Sequence, residues 1–383
     1  MHNNIIVILI NSLDGGGAER VVSTLLNNLV EKYECHIILM ENKISYDLDS
    51  RINILSLNED PDISGIKKFI RLPMIAYKLS KIINKYHFTQ IVSFMYRSNY
   101  INILAKYFCK HKVIISERIA PSSMYDDSTI SSKISRFLIR NLYNNADLII
   151  SVSKAIQNDL INNFNIKISQ IVIYNPYDIK NINKLSHENI NVKIDRKKSI
   201  ITVGSLGKRK NQSMIIKAFS MCNKTYKLYI LGVGEEENAL KYLVKELNIE
   251  DRVIFLGFDS NPYKYLAKCS IFVLGSNSEG FPNVLAEAMV CGCSVISTDC
   301  LSGPREILSP STDIKYQLTN SIDKVEFGLL TPINNENKLK EALELMINND
   351  KLRDNYSEKS KQRANDFKIE KIIKQYKDAI CAE

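Results

Sequence analysis

The sequence lacks the features that mark several common classes of protein. No apolar run approaches the ~18 residues of a membrane-spanning helix, and the run nearest the start, Ile5–Ile10, has six residues. That run is also shorter than a signal-peptide core, so we expect a cytoplasmic chain with an intact N-terminus. Hydrophobic residues at 45% and charged residues at 24% argue against global disorder, collagen and a coiled coil.

The cysteines and histidines form no metal or disulfide pattern. Eight cysteines are scattered, no C-x-x-C pair occurs, and the five histidines make no cluster. Asp47-Leu48-Asp49 is a literal D-x-D triplet, but it lacks the strand-end context of a metal site. We therefore predict reduced, mostly buried thiols, no metal and no cofactor.

Acidic residues are missing from one long window. None occurs between Asp62 and Glu117, whereas ten basic residues do, more than the net charge of +9 on the whole chain. A surface of this kind is expected to meet an anionic partner, such as phosphorylated lipid, a membrane or nucleic acid.

An apolar pattern with helical spacing runs through this window. Its members are Ile66, Phe69, Ile70, Met74 and Tyr77. The surrounding cations are Lys67, Lys68, Arg71, Lys78, Lys81 and Lys85. We expect Pro73 to kink or split the helix. The pattern predicts docking on an anionic membrane surface at ~1 kcal/mol per cation; an ordinary domain helix with a solvated lysine face is the alternative.

Short β-branched runs alternate with helical patterns along the whole chain, as in parallel sheets with crossover helices. The first half predicts strands at Ile5–Ile10, Cys35–Met40, Ile52–Leu57, Ile91–Phe94, Val113–Ser116, Leu148–Val152 and Ile171–Ile173. The second half predicts strands at Ser199–Val203, Tyr226–Leu231, Val253–Phe255, Ile271–Leu274 and Val295–Ser297.

This rhythm predicts an α/β protein with two doubly wound, Rossmann-like domains. We place them at residues 1–178 and 199–350, joined by a polar linker at 179–198. Helices at 351–383 are expected to pack back toward the first domain. Ligands of such sheets bind outside the carboxyl ends of the strands, so we expect the site in a cleft between the domains.

The first motif is Gly15-Gly16-Gly17-Ala18-Glu19-Arg20, between the first strand and the first helix. Glycine lets the backbone approach a ligand closely, and a helix N-terminus offers N–H groups to an anion. A dinucleotide fingerprint is a poor fit because G-x-G-x-x-G is absent, and Gly232-Val233-Gly234 runs into three glutamates. A purely structural turn remains the alternative.

The second motif is the basic loop GSLGKRKN at 204–211, which leads into a helix. Three cations beside a helix N-terminus suit a diphosphate, with arginine offering bidentate geometry and lysine a point charge. A solvated basic loop is the alternative reading.

The third motif, EGFPNVLAE at 279–287, is the most informative. It follows the predicted strand Ile271–Leu274 and turns into a helix through Pro282 and Asn283. Its two carboxylates can accept hydrogen bonds from sugar hydroxyls, and the N–H groups at the helix start suit phosphates. Either glutamate alone would be an ordinary acidic cap.

Together these motifs resemble the retaining glycosyltransferases of family 4, which have the two-domain GT-B fold. The resemblance covers nearly the whole chain and includes RVIFLGF at 252–258 and ISTDCLSGPREIL at 296–308. It implies that Glu287 binds the ribose of a nucleotide-sugar donor and that Glu279 contacts the donor hexose and supports the transition state. Lys210 would neutralise the diphosphate.

The resemblance implies further donor contacts. Gly16 and Gly17 would face the sugar and phosphates from the first domain, and Phe258 would lie near the nucleobase. The segment between the two glutamates is expected to contribute Gly280, Phe281, Asn283 and Val284.

The chain departs from the family pattern at two places. Ser205 stands where the family usually has arginine, so either Arg209 supplies that cation or the diphosphate is held more weakly. Ser116-Glu117-Arg118 occupies a turn where the family often has histidine. Glu117 and Arg118 are therefore candidates for contact with the acceptor or the reacting centre.

The segments Ser116–Pro121 and Ser302–Ile307 resemble enzymes that build bacterial surface glycans such as O-antigen, lipopolysaccharide or capsule. Such enzymes add a hexose or N-acetylhexosamine to sugars on polyprenyl diphosphate. The expectation is thus metal-independent transfer with retention, by same-face attack, from a UDP-linked donor on the inner face of the cell membrane.

Three other classes compete with this reading. A sugar-nucleotide epimerase of the same architecture would need acid–base residues in the cleft, and no histidine is expected there. A catalytically silent binding protein stays open because of Ser205. A nucleic-acid-binding protein would explain the basic window but not the carboxylate pair or the glycine turns, so we expect no nucleic acid.

Overall fold

The chain folds into two compact units. The computed structural model describes residues 5–60, 62–63, 65–125 and 128–381. One unit consists of Met1–Pro176 together with Glu370–Glu383, and the other of Tyr177–Ile369. The sequence-based boundaries at 178, 198 and 350 stay predictions.

The first unit contains a seven-stranded parallel sheet in the order β3-β2-β1-β4-β5-β6-β7. Its strands are β1 (Ile5–Ile10), β2 (Glu34–Leu39), β3 (Asn53–Ser56), β4 (Gln90–Phe94), β5 (Lys112–Glu117), β6 (Leu148–Ser151) and β7 (Gln170–Val172). The central strands read as nearly unbroken apolar runs because crossover helices cover a parallel sheet on both faces.

The helices of this unit alternate with its strands. They are α1 (Gly17–Leu29), α2 (Ile66–Ile70), α3 (Leu72–Tyr86), α4 (Tyr96–Ala105), α5 (Pro121–Met124), α6 (Ile130–Leu142) and α7 (Lys154–Phe164). Arg71 separates α2 from α3, and Pro73 lies in the first turn of α3. The expected split of this helix is confirmed, because proline fits a first helical turn but not a helix interior.

The second unit also has a seven-stranded sheet, in the order β10-β9-β8-β11-β12-β14-β13. Its strands are β8 (Ser199–Val203), β9 (Lys227–Leu231), β10 (Val253–Gly257), β11 (Ile271–Leu274), β12 (Ser294–Thr298), β13 (Asp323–Val325) and β14 (Gly328–Thr331). All neighbours are parallel except β13, which pairs antiparallel with β14.

The helices of the second unit are α8 (Ile179–Ser186), α9 (Gln212–Ser220), α10 (Glu237–Glu246), α11 (Tyr263–Leu266), α12 (Asn283–Val290), α13 (Pro304–Leu308), α14 (Glu336–Ile347) and α15 (Asp350–Ala364). Helix α8 lies in the stretch expected to be a linker. Asp178 caps it by accepting a hydrogen bond from the backbone N–H of Asn181, and Ile182 is buried.

The last helix, α16 (Ile369–Cys381), carries the chain back to the first unit. Ile372, Tyr376 and Ile380 are buried in the same apolar core as β1 and α1. These residues recur at i, i+4 and i+8, which places them on one face of the helix. Helix α16 therefore completes the apolar core of the first unit.

The alternating architecture predicted from the sequence is confirmed. All twelve predicted strands are present, with ends within two residues of the expected ones. Strands β13 and β14 were not predicted, because each has four residues or fewer and neither has a long apolar run. Six of the eight cysteines are buried, Cys109 is half-buried and Cys381 is exposed, all as free thiols.

No helix within the described ranges combines the length and apolarity that a membrane crossing requires.

Two glycine-containing loops of the second unit pack backbone to backbone. The N–H of Gly204 donates to the carbonyl of Leu231, and the N–H of Leu206 donates to that of Val233. A Cβ added at Gly232, where φ is 147°, would lie 2.0 Å from the carbonyl oxygen of Gly204. Glycine at 232 is thus required by both conformation and space.

Alanine at position 232 should therefore destabilise the protein more than alanine at another left-handed glycine. Gly257 has φ of 72° and nothing within 4 Å of an added Cβ, so Gly257→Ala should cost only about 1–2 kcal/mol of conformational strain. Gly232→Ala adds a backbone clash and should lower the thermal unfolding midpoint further. Equal midpoints for the two variants would contradict the close packing of these loops.

Candidate functional site

The strand order of the second sheet reverses between β8 and β11, which are neighbours although far apart in the chain. Chains leaving the carboxyl ends of such strands diverge to opposite sides and leave a crevice where ligands bind. The basic loop 204–211 follows β8, and the segment 279–287 follows β11. The fold thus brings the second and third motifs to one switch point.

Glu279 is the centre of the contacts at this point. Its Oε1 accepts hydrogen bonds from Lys210 Nζ at 2.6 Å and from Ser276 Oγ at 2.7 Å. Arg209 approaches Oε2 at 3.4 Å and donates to the carbonyl of Ser278 at 3.0 Å. Glu279 as a whole is only 6% exposed. Two cations from one loop therefore surround one buried carboxylate from another.

The electrostatic balance keeps Glu279 ionised. Burial by itself raises the pKa of this carboxyl, but the charges of Lys210 and Arg209 and the hydrogen bonds outweigh burial. The net pKa lies below its usual value. A buried, ionised carboxylate can accept hydrogen bonds from the hydroxyl groups of a ligand.

Other residues of the third motif contact Phe367 and Tyr177 or are buried. Phe281 is buried and packs edge-on against Phe367 with ring centroids 5.3 Å apart. Asn283 begins α12, and its Oδ1 accepts a hydrogen bond from the Tyr177 hydroxyl at 2.8 Å. Glu287 lies on α12 and is 3% exposed.

Three further candidates differ in exposure. Gly280 is buried, and its carbonyl oxygen would lie 2.9 Å from a Cβ added at Gly303. Val284 is half-buried on α12. Ser205 and Phe258 are exposed, the latter by 75% at the end of β10. An open aromatic ring at a strand end is available for stacking on a flat ligand.

The residues that support Glu279 were not predicted from the sequence. Ser276 donates to its carboxylate, and Ser302 Oγ donates to its backbone carbonyl. Thr298 Oγ1 donates to the carbonyl of Ser276 at 2.6 Å. Thr298 is the last residue of β12, whereas Ser276 and Ser302 follow β11 and β12. Their place at strand ends was the signal that the sequence offered.

In the first unit, the glycine motif begins α1. Gly16 is the N-cap residue and Gly17 the first residue of the helix. A Cβ added at Gly16 would lie 2.1 Å from Glu19 Oε2, and the Tyr46 hydroxyl donates to the Gly16 carbonyl at 2.9 Å. Burial raises the pKa of Glu19.

Glu117 and Arg118 are both buried at the end of β5. Glu117 Oε2 accepts a hydrogen bond from the Tyr143 hydroxyl at 2.6 Å, and Oε1 accepts one from the N–H of Arg118 at 3.2 Å. The Arg118 guanidinium donates to Asn175 Oδ1 and to the Tyr376 hydroxyl. Their roles toward a substrate stay predictions.

No three of the His, Cys, Asp and Glu side chains in the described residues converge as a metal site would require.

The two sheets with their motif-bearing loops define a GT-B glycosyltransferase, and the comparisons with known proteins agree. Residues 15–181 match the family described as Glycosyltransferase Family 4, and residues 183–363 match Glycosyl transferases group 1. The solved structure of Anabaena HepE in complex with UDP has the same fold, with a TM-score of 0.79 at 18% identity. The match covers 99% of this chain and 100% of that one.

Two relatives from Campylobacter jejuni extend along almost the whole chain. One is "N-acetylgalactosamine-N,N'-diacetylbacillosaminyl-diphospho-undecaprenol 4-alpha-N-acetylgalactosaminyltransferase", 41% identical over 96% of both chains. The other is a "GalNAc-alpha-(1->4)-GalNAc-alpha-(1->3)-diNAcBac-PP-undecaprenol alpha-1,4-N-acetyl-D-galactosaminyltransferase", 27% identical over 97% of this chain and 96% of that one. The chain belongs to this family of group 1 glycosyltransferases.

The burial of Glu117 predicts a dependence of stability on pH. Burial raises the pKa of Glu117 from 4.5 to about 7, although the Tyr143 hydrogen bond, the backbone N–H groups and the Arg118 charge oppose it. The folded state therefore prefers the neutral carboxyl. This contribution to stability is fully present below about pH 4.5 and is lost as the pH rises through about 7.

Glu117→Gln should remove this dependence, because an amide keeps an acceptor for Tyr143 but carries no charge. The loss of unfolding free energy between pH 6 and pH 8 should be smaller in the variant, by about 1 kcal/mol or more. Urea titrations of both proteins at the two pH values measure it. Parallel losses in the two proteins would show that Glu117 of the folded protein does not titrate between pH 6 and pH 8.

Proposed function

We propose that this protein transfers an N-acetylhexosamine or hexose from a UDP-linked donor to a saccharide on polyprenyl diphosphate during synthesis of a bacterial surface glycan. N-acetylgalactosamine is the first sugar to test, because both Campylobacter relatives carry it in their names. The epimerase and the silent binding protein are not favoured, since both of those relatives are named as transferases.

The observation that carries the proposal is the contact of Glu279 with Lys210 and Arg209 at the switch point. A sugar nucleotide combines hydroxyl groups with a diphosphate. Glu279 offers a buried acceptor for hydroxyl groups, and the two cations beside it offer positive charge for phosphate oxygens. A carboxylate and cations at one point match both parts of such a donor.

These cations would also serve the chemical step. When the bond between the sugar and the diphosphate breaks, negative charge develops on the leaving phosphate. The Lys210 ammonium has three N–H donors, so it can bond to Glu279 and still donate to a phosphate oxygen. Arg209, which is half-exposed, can fill the role that Ser205 leaves open.

Other contacts complete the donor site in this proposal. Glu287 holds the ribose, and Phe258 stacks on the base. The N–H groups at the start of α12, around Asn283 and Val284, bind phosphate. Metal-independent transfer is proposed because Lys210 and Arg209 already supply cationic charge where the leaving group would stand.

Retention is part of the proposal, with same-face attack by the acceptor hydroxyl. The carboxylate of Glu279 is already engaged by Lys210, Ser276 and Arg209. A carboxylate engaged in this way is better suited to stabilising positive charge on the sugar than to forming a bond with it.

We further propose that the protein docks peripherally on an anionic membrane through Lys67, Lys68, Arg71, Lys78, Lys81 and Lys85. Four apolar residues among these cations face outward: Ile70 is 72% exposed, and Ile66, Met74 and Tyr77 are each more than two-fifths exposed. We call these four the α2/α3 face. An ordinary domain helix would bury such a stripe, whereas a membrane-surface helix inserts it between lipids.

The charges around the α2/α3 face are available to lipid headgroups. Of the six cations, only Arg71 has an ion-pair partner in the described part of the chain, with its Nε 3.9 Å from Glu59 Oε1. Lys81 Nζ lies 4.7 Å from the centroid of the Tyr77 ring. Cations beside exposed aromatic rings suit the boundary between headgroups and lipid tails.

Alanine substitutions of the two glutamates of the donor site should affect different kinetic constants. Glu279→Ala should lower kcat at least tenfold, ~1.4 kcal/mol, because Glu279 acts in the transition state. Glu287→Ala should mainly raise the donor KM, because Glu287 holds the ribose in ground and transition states alike. Initial rates with UDP-N-acetylgalactosamine and a short-chain polyprenyl-diphosphate saccharide measure both.

Glu250→Ala is the matched control, because Glu250 is an exposed glutamate of the same unit. It should keep the wild-type kcat and KM. Wild-type rates in both Glu279→Ala and Glu287→Ala would refute the assignment of the donor site. They would not refute the glycosyltransferase activity.

The product should carry the transferred sugar in the α configuration of the UDP donor. NMR of the purified product, through the coupling constant of the anomeric proton, decides this. The rate should be unchanged when EDTA is added to the enzyme. A β-linked product would overturn retention. A rate that is lost with EDTA and returns only with added magnesium would overturn metal independence.

A further inference from the structure

Helix α6 exposes large apolar side chains on the side opposite its contacts with the rest of the protein. Ile130 is 66% exposed and Phe137 is 64% exposed, and Lys133 lies between them in sequence and is also exposed. Spacings of three and seven residues put these three side chains on one side of the helix. We call them the α6 face.

The orientation of α6 is fixed from its opposite side. Ser135 and Ile139 are the buried residues of the helix. Arg136 donates to the carbonyl of Tyr125 at 3.0 Å, and its guanidinium lies 5.2 Å from the centroid of the Phe164 ring. Because these contacts hold the inner side, the α6 face points away from the protein.

A cavity of about 230 Å³ places α6 beside α2. Lys68 and Phe69 of α2 line it, together with Ser131 of α6 and the buried Arg97. Ser131 follows Ile130 directly, and Lys68 lies between Ile66 and Ile70. The first turn of α6 thus lies beside α2 within the same unit.

The part of the chain that carries both faces is predominantly basic. Residues 63–146 contain fourteen Lys and Arg but three Asp and Glu, and one of these three, Glu117, is buried. A second copy of the chain would bring like charges together on this surface, which disfavours self-association. An anionic lipid leaflet is complementary in charge and also accepts apolar side chains.

We infer that the α6 face is a second membrane-docking element, which contacts an anionic leaflet together with the α2/α3 face. This inference rests on the membrane docking proposed above and extends it to a helix outside the acid-free window. Two separated apolar anchors bind cooperatively and fix the tilt of the unit on the lipid, which a single helix leaves free to rotate about its axis.

The chain contains no tryptophan, so one introduced tryptophan reports on one position. Three single variants of the full chain serve: Phe137→Trp on the α6 face, Met74→Trp on the α2/α3 face and Tyr242→Trp on α10 of the second unit. Tyr242 is a matched control because it is 64% exposed, as Phe137 is. Emission is recorded with vesicles of phosphatidylcholine and phosphatidylglycerol in equal parts, and with phosphatidylcholine alone.

We expect the emission of Phe137→Trp and Met74→Trp to shift to the blue with the anionic vesicles only, and that of Tyr242→Trp to stay unchanged. A shift for Met74→Trp without one for Phe137→Trp would overturn this inference and leave the α2/α3 docking intact. No shift for either would overturn both. A blue shift without vesicles that disappears on dilution would assign the face to a second copy and refute the lipid contact.

Loss of function gives an independent measure. The double variant Ile130→Ser/Phe137→Ser should lower the vesicle partition coefficient about tenfold in sedimentation, since two large apolar side chains no longer insert. Its rate on a short-chain, water-soluble acceptor should equal that of the wild type. An unchanged partition coefficient of the double variant would overturn the inference. If the wild-type protein itself transferred no sugar, that result would count against the glycosyltransferase proposal alone.

Discussion

The buried negative charge of Glu279 sets the main constraint on the second unit. An isolated carboxylate costs several kcal/mol to bury, and removing one member of a buried pair costs about 3–5 kcal/mol. Lys210 and Arg209 offset this cost, but they reside in a different loop. The site can therefore exist only where β8 and β11 lie side by side and send their loops to one point.

Two glutamates show how completely the surroundings decide the state of a carboxyl group. Glu279 and Glu117 are both buried at strand ends, yet the pKa of Glu279 is lowered and that of Glu117 is raised. Two cations approach the first, whereas the second has Tyr143 and a single neighbouring arginine. Burial raises the pKa of a carboxyl group where few cations are near it. Where enough cations are near, their charge outweighs burial and lowers the pKa.

The first unit shows the same dependence on context for apolar residues. The apolar residues of α16 are buried against β1, and those of α2 and α3 include a stripe that faces outward. Both patterns have helical spacing in the sequence. Only the position of each helix on the sheet distinguishes a core contact from an exposed surface.

The sequence by itself determined the alternation of strands and helices, the break at Pro73 and the motifs at strand ends, because these depend on neighbouring residues. It did not reveal β13, β14 or helix α8, whose apolar patterns are short. Tertiary structure alone decided the pairing of Glu279 with Lys210, which lie 69 residues apart, and the support from Ser302, which lies 23 residues away. It also decided which apolar helix face is exposed, because burial depends on the packing of distant segments, which local periodicity does not encode.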